Sequence, residues 1–289
     1  EDNNAVRDAQ GHTIQTIVRT LTAFTEWTAD DAARHTVVPQ PDDDKYSRGV
    51  LGVAAGSDRY PGAAVLVAEA ALRTGLGMLR LDVPPAVASL VLQRRPEAVV
   101  GVGRAQAWVA GPGMDGDDTE AGARVSAAIK AGTPLVLDAA SASRASEAAG
   151  RVIVTPHAGE LARILGVDRA AVLADPVGSA ADASKLLGAV VLLKGSTTRV
   201  VTGETVLTVE GAPPWLATAG AGDALAGILG ALLATRAARG ALDQDALASI
   251  AATAAVVHGR AATIASAGGP LTILGLCEAV PAVIRELVR

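Results

Sequence analysis

The stretch Trp215-Leu-Ala-Thr-Ala-Gly-Ala-Gly-Asp-Ala-Leu-Ala-Gly-Ile-Leu-Gly-Ala-Leu-Leu-Ala234 is the one around which the chain is organised. It reads as a tight turn, Thr218 to Gly222, that delivers Asp223 to the mouth of a helix. Gly220 and Gly222 have no side chain, so backbone N–H groups there can come close to a ligand oxygen. Such groups lack partners inside the helix, and the macrodipole adds partial positive charge. Gly220, Ala221 and Gly222 therefore form a candidate anion hole suited to phosphate. Asp223 is the one charge in the stretch: either a helix N-cap or a base facing an incoming hydroxyl. The helix that follows, Ala224 to Ala234, has no polar face. About a dozen apolar residues are too few to cross a bilayer, so the helix is buried in protein.

Outward from this stretch, half of the 289 residues are apolar, with one Phe and two Tyr among them. Dominance of Ala, Val, Leu and Gly suits an α/β fold with a parallel sheet and small-residue helix packing. The length allows one large domain or two small ones. A formal net charge of −5 argues against nucleic acid as partner. The single cysteine, Cys277, rules out an internal disulfide framework and any Cys-based metal site; its apolar setting places it in the core. No signal peptide and no charge-free span of about twenty apolar residues is found. The expectation is a cytoplasmic protein with no membrane partner.

Residues 1–44 read as a polar leader ending in Asp42, Asp43 and Asp44, irregular apart from a short helix around Thr13 to Phe24. From Val50 the rhythm changes. Apolar runs at Val50–Ala55, Leu76–Val83, Ala107–Ala110, Pro134–Leu137, Arg151–Val154 and Ala189–Leu193 read as strands. Helical patterns separate several of them, opening at Pro61 and Pro84 and around Asp118, and running from Glu160 to Leu165. This alternation requires right-handed crossovers and a parallel sheet covered on both faces. Thr198–Val209 departs from it as a hairpin about Gly203-Glu204. The remainder is helical: 223–235, about 243–266, and 271–287. Ligands gather at the carboxyl ends of parallel strands. Five polar or Gly-rich tips lie there, Gly56-Ser57, Gly111 to Gly116, Asp138, His157 and Lys194, and the alternation collects them in one cleft.

Gly111-x-Gly113-x-x-Gly116 matches the dinucleotide fingerprint in form, with Asp138 near the place of a ribose-binding acid. Against an oxidoreductase, the motif follows two earlier β/α units, and Pro112 stiffens a turn that the fingerprint leaves free. There is no P-loop and no nucleophile elbow. Lys194-Gly-Ser-Thr-Thr198 offers a cation and three hydroxyls at a strand end, either for phosphate and ribose contacts or as a solvated hairpin entry. His157 is a helix cap or a cleft residue; His258 lies in an apolar helical pattern as a core or helix-contact residue. No His spacing supports a transition-metal site, and no metal ligand is assigned.

The Ala-Gly-Ala-Gly-Asp223 turn resembles the Gly-x-Gly-Asp turn of the ribokinase-like superfamily, whose Asp takes a proton from a substrate hydroxyl during phosphoryl transfer. Lys45-Tyr-Ser-Arg-Gly49, Gly56-Ser-Asp-Arg-Tyr-Pro-Gly-Ala-Ala64, Arg95-Pro-Glu97, Gly111-Pro-Gly113, Thr155-Pro-His-Ala-Gly-Glu160 and Lys194-Gly-Ser-Thr-Thr198 together resemble one branch of it. That branch is the ADP/ATP-dependent NAD(P)H-hydrate dehydratases, which repair nicotinamide nucleotides. The resemblance covers about Lys45 to Arg289. It implies a ribokinase-like three-layer α/β/α sandwich over 45–289, with a mostly parallel sheet and a hairpin edge.

The resemblance also implies an activity: phosphorylation of the hydroxyl on (S)-NAD(P)H hydrate, then loss of phosphate to restore NAD(P)H. ADP ranks ahead of ATP as co-substrate, and Mg²⁺ accompanies it. By the same match Asp223 is the base; Lys194, Gly195, Ser196, Thr197, Thr198 and Gly222 hold the adenine nucleotide; and Ala64, Gly113, His157 and Asp223 face the hydrate. A homo-oligomer, a tetramer by resemblance, is expected. The chain departs from the branch at Asp138-Ala-Ala-Ser-Ala-Ser143, where Ala140 and Ser143 replace an Asp and an Asn. The upstream epimerase domain is not expected in a 44-residue leader, so epimerisation would come from another chain. Two other readings stand beside this one: a small-molecule kinase of the same fold, acting on a vitamin precursor or sugar alcohol, and a catalytically silent nucleotide-binding subunit.

Overall fold

The apolar runs form strands because residues 50–54, 107–110 and 190–193 are buried on both sides, as a covered parallel sheet demands. The structure, a computed structural model, describes residues 23–289 apart from 116, 149 and 204. In chain order it contains β1 (Ala23–Glu26), α1 (Ala29–His35), β2 (Val50–Ala54), α2 (Pro61–Thr74), β3 (Met78–Leu81), α3 (Pro85–Arg94), β4 (Val99–Val100) and β5 (Ala107–Ala110). Next come α4 (Thr119–Lys130), β6 (Leu135–Leu137), a 3₁₀ segment (Ala139–Glu147), β7 (Val152–Val154), α5 (Ala158–Leu165), α6 (Arg169–Ala174) and α7 (Pro176–Leu187). The chain ends with β8 (Val190–Leu193), β9 (Thr198–Thr202), β10 (Thr205–Val209), α8 (Ala221–Ala237), α9 (Gln244–Ser266) and α10 (Ile273–Leu287).

The strands make one ten-stranded sheet, in order β1-β10-β9-β8-β7-β6-β5-β2-β3-β4. Only β9 runs against its neighbours, so the expected hairpin is present, but it lies one strand in from the edge, which β1 takes by pairing parallel to β10. Alternate residues of each strand serve opposite layers. Val109, Val136 and Ile153 face the core beneath α2, α8 and α9, while Trp108, Leu135 and Val154 face the core beneath α4, α5 and α7. This is the expected three-layer α/β/α sandwich. Strand order reverses between β2 and β5, and a parallel sheet opens a crevice at such a switch point.

α8 is buried along Ala224–Ala234, as its missing polar face requires. Its glycines let it press close: a Cβ at Gly230 would lie 2.3 Å from Val109 Cγ2, and one at Gly227 2.4 Å from the Val67 carbonyl. α9 is the one helix among the described residues long and apolar enough to cross a membrane, and most of it is buried inside the fold.

The leader reading needs correction. The helix expected over Thr13–Phe24 lies outside the described residues up to 22, and its last two residues begin β1. Residues 23–35 are not irregular: β1 pairs with β10, and α1 follows behind a capping box between Thr28 and Asp31. The open edge of the sheet accepts a strand, and the Trp27 indole N–H, donating to Thr253 Oγ1 at 3.3 Å, fastens it to α9.

Candidate active site

α8 begins two residues before Asp223. Gly220 is its N-cap at φ +91, a left-handed conformation that Gly adopts without strain, and a Cβ there would meet Leu66 at 2.6 Å. Asp223 is thus in the first turn and not the cap. The Ala221 amide donates to the Thr218 carbonyl at 3.2 Å, so it drops out of the expected anion hole. The amides of Gly220, Gly222 and Asp223 have no partner among the described residues. Donors for an anion remain, with the Asp223 amide in the place expected for that of Ala221.

Facing this helix mouth are the tips of β6, β7 and β8. The β7–β8 pairing continues as a bridge between His157 and Lys194, and the Lys194 amide donates to the Pro156 carbonyl at 2.8 Å. Lys194 Nζ lies 3.0 Å from Asp138 Oδ1 and 3.7 Å from Glu160 Oε2. The Thr155 hydroxyl donates to the same Asp138 oxygen at 2.6 Å. A Cβ on Gly222 would stand 3.3 Å from Lys194 Nζ, which sets the ammonium beside the mouth of α8. Burial alone would lower the Lys194 pKa, but the Asp138 and Glu160 charges outweigh it and the net shift is upward. At Asp223 burial and the Asp138 charge push the carboxyl up to about 6, against the pull of Lys194. A carboxylate tuned toward neutral pH in a cleft has the property required of a general base.

His157 caps α5. Its Nδ1 accepts from the amides of Gly159 and Glu160 at 3.0 and 3.1 Å, so in the neutral ring the proton sits on Nε2, 3.5 Å from Glu160 Oε1. The capping reading holds, on a side chain that is itself exposed. The loops after β2 and β5 close on one another: the Gly56 amide donates to the Pro112 carbonyl at 2.8 Å, and a Cβ on Gly113 would lie 2.3 Å from Ala63 Cβ. Ala64 is fully buried beneath Gly56. Gly111 at φ +117 packs on the Asp138 carbonyl, while Gly116 of the dinucleotide pattern lies outside the described residues. Asp138 is committed to Lys194 and Thr155, so it is not free for a ribose. The oxidoreductase reading loses its acid.

Beside the helix mouth opens a cavity of about 800 Å³. Lys194, Gly195, Ser196, Thr198 and Gly222 line it; Thr197 does not, its hydroxyl instead donating to Glu210 at 3.3 Å. Ala64, Gly113 and His157 lie outside it, so the two residue sets named by resemblance occupy different places, with Asp223 at the helix mouth near Lys194 and Asp138. The sequence reading missed much of the wall. Trp27 lines the cavity from the segment read as leader, its ring 5.1 Å from that of His35. His258 lines it from α9, buried, with Nε2 unpartnered and a pKa lowered by that burial to about 4. The one sequence signal for His258 was its place among apolar residues, which points equally to a core.

Comparison with known proteins places the chain in a family. The family model described as NAD(P)H-hydrate dehydratase matches residues 51–275. A bifunctional NAD(P)H-hydrate repair enzyme of Mycobacterium tuberculosis is 40% identical over 220 residues, covering 72% of this chain and 45% of that protein. The chain therefore spans about half the length of the bifunctional relatives it matches. An ADP-dependent (S)-NAD(P)H-hydrate dehydratase of Xanthomonas campestris is 38% identical over 235 residues, 73% of this chain and 79% of the relative. Among solved structures, an ADP/ATP-dependent NAD(P)H-hydrate dehydratase of Bacillus subtilis, co-crystallised with ATP and Mg²⁺, superposes with a TM-score of 0.79 at 24% identity, over 91% of this chain and 98% of that one. At that identity the likeness carries the ribokinase-like fold alone.

Proposed function

The chain belongs to the NAD(P)H-hydrate dehydratase family, and on that premise we propose that it restores NAD(P)H from its (S)-hydrate by nucleotide-dependent dehydration. One observation carries the reading: Lys194 and Gly222, whose amide is free, line a nucleotide-sized cavity, and the raised carboxyl of Asp223 follows in the same helix turn, within the field of Lys194. Asp223 takes the proton of the ring hydroxyl as that oxygen bonds to the terminal phosphorus of the nucleotide. The bond from phosphorus to the bridging oxygen breaks, leaving AMP from ADP, or ADP from ATP. Phosphate then departs with the ring C–O bond while the neighbouring carbon releases a proton, and the double bond returns. Hydroxide leaves poorly and a phosphate ester well, so nucleotide cleavage drives the dehydration. The base contributes on the order of 10²–10⁴-fold; the amides and Lys194 oppose the charge on the transferring group.

Lys194, Gly195, Ser196, Thr198 and Gly222 hold the nucleotide at the cavity wall, with Thr197 tying the loop to Glu210. Gly113 and His157 take the hydrate on the other side of Asp223, and Ala64 forms the floor beneath Gly56. ADP is placed first as co-substrate because the relative from X. campestris is ADP-dependent. No cluster of three metal-ligating side chains exists among the described residues. A Mg²⁺ ion would therefore be carried in on the phosphate oxygens of the nucleotide. Bound so, it would neutralise phosphate charge. The same proposal makes the protein a cytoplasmic homo-oligomer, tetrameric by resemblance. The burial of α9 inside the fold argues against a membrane span by that helix, and Val99, Val100 and Val102, exposed at the β4 edge, support self-association.

The test is direct. Hydrated NADH is mixed with enzyme, Mg²⁺ and either ADP or ATP, and absorbance of the restored dihydronicotinamide is followed. Recovery with a nucleotide and none without it is the expected result. No recovery with either nucleotide defeats the assignment.

A further inference from the structure

Asp138 is the strand tip to which the proposed reaction gives no role. It is 5% exposed, and a buried polar group is costly unless hydrogen-bond partners replace its hydration. Lys194 Nζ and the Thr155 hydroxyl do so, both on Oδ1. The backbone around it is unusual. Ala139, the next residue, sits at φ +52, which residues with a Cβ seldom adopt. Gly111 lies so near the Asp138 carbonyl that a Cβ would come within 2.2 Å of it. The carboxylate is fixed from several sides. Lys194, by contrast, ends a flexible four-carbon stem that would otherwise sample many positions.

We propose that Asp138 is a positioning residue: it clamps the Lys194 ammonium at the amino end of α8, where the transferring phosphoryl group is received, and sets a second negative charge near Asp223. The proposal rests on the nucleotide-dependent reading above. The charges around Asp223 come from three elements. Asp138 at the β6 tip and Lys194 at the β8 tip act on it directly, and Glu160 of α5 acts through Lys194. His258 of α9 is neutral above about pH 4, and α2 and α10 bring apolar Leu66 and Ile273 to the turn. Removing the Asp138 charge therefore loosens Lys194 and withdraws a like charge from Asp223.

Asp138→Asn keeps the size of the side chain and an oxygen for Thr155, so it isolates the charge. Its nucleotide KM is expected to rise about tenfold, as a charge-assisted contact is lost. The acid limb of its kcat/KM profile is expected to move down by about one pH unit, as a like charge is withdrawn from the base. In a Lys194→Met background the same change should alter nucleotide KM by less than about twofold, because the route through Lys194 is already gone. A wild-type nucleotide KM together with an unmoved acid limb overturns the proposal, as do effects of the two substitutions that add in full. Should the Asn variant not fold, Thr155→Val removes the second anchor and keeps the charge. A nucleotide KM about threefold higher with an unmoved limb is then expected, and an unchanged KM overturns the idea. Wild-type enzyme that turns over no hydrate would defeat the functional reading itself, which separates the two failures.

Discussion

At the mouth of α8 the fold holds Asp223 away from the ionisation it would choose in water. Its folded pKa of about 6 exceeds the ordinary value of 3.8, chiefly through burial. A group shifted in this direction contributes stability that is full below pH 3.8 and is lost as pH rises through about 6. Above that pH the charged base is carried at a cost of about 2–3 kcal/mol. Asp223→Asn should therefore lose activity by roughly 10²–10⁴-fold yet melt no lower than wild type at pH 8, with the difference shrinking toward pH 4. Thermal unfolding at both pH values checks this, and a variant that melts lower at pH 8 would show the carboxylate to be stabilised instead. The Gly-Ala-Gly-Asp run announced this residue because turn, helix start and charge are contiguous. It did not announce Asp138, whose partners Thr155 and Lys194 stand 17 and 56 residues along the chain.

Between elements, one buried charge ties three places together. Glu69, fully buried on α2, takes Arg73 at 2.6 Å from its own helix, Arg94 at 3.2 Å and Arg95 at 2.6 Å from the end of α3. Burial would raise its pKa, but the three guanidinium contacts prevail and bring it to about 2. Glu69→Gln leaves the cations without their anion and is expected to cost about 3–5 kcal/mol. Urea unfolding at pH 7 reads the loss. The sign also fixes its pH dependence: this stability is present above pH 4.5 and disappears as pH falls toward 2, so the two proteins should converge there. A gap that stays constant down to acid pH would point to packing and not to charge. The core strands and α8 were legible because full burial writes itself as unbroken apolar sequence. β4, two residues long, and β1, an edge strand of mixed polarity, carry no such period. Nothing local to Glu69, one acidic residue on an Ala-rich helix, reveals Arg94 and Arg95.

Across the whole molecule, the cavity proposed to take the nucleotide is assembled from segments that meet only in the folded chain: 26–29, 194–198, 209–217, 221–225 and 255–263. Strand alternation foretold that the tips would lie on one edge of the sheet, but of the five only Lys194 lines this cavity. It could not foretell the far wall, where Trp27 enters from β1 on the opposite flank of the hairpin. This division has a thermodynamic consequence. A nucleotide that binds only the folded state should raise stability by about 2.7 kcal/mol at a hundredfold excess over its Kd, a shift of several degrees in Tm. Trp27→Ala, which opens that wall and removes the anchor to Thr253, should shrink the ADP-induced shift while leaving that of NADH hydrate in place, since Gly113 and His157 lie outside the cavity. Melts of both proteins with each ligand alone decide it. If the substitution spared the ADP shift and removed the hydrate's, the two ligands would have to exchange places, and Asp223 would face the phosphates from the wrong side.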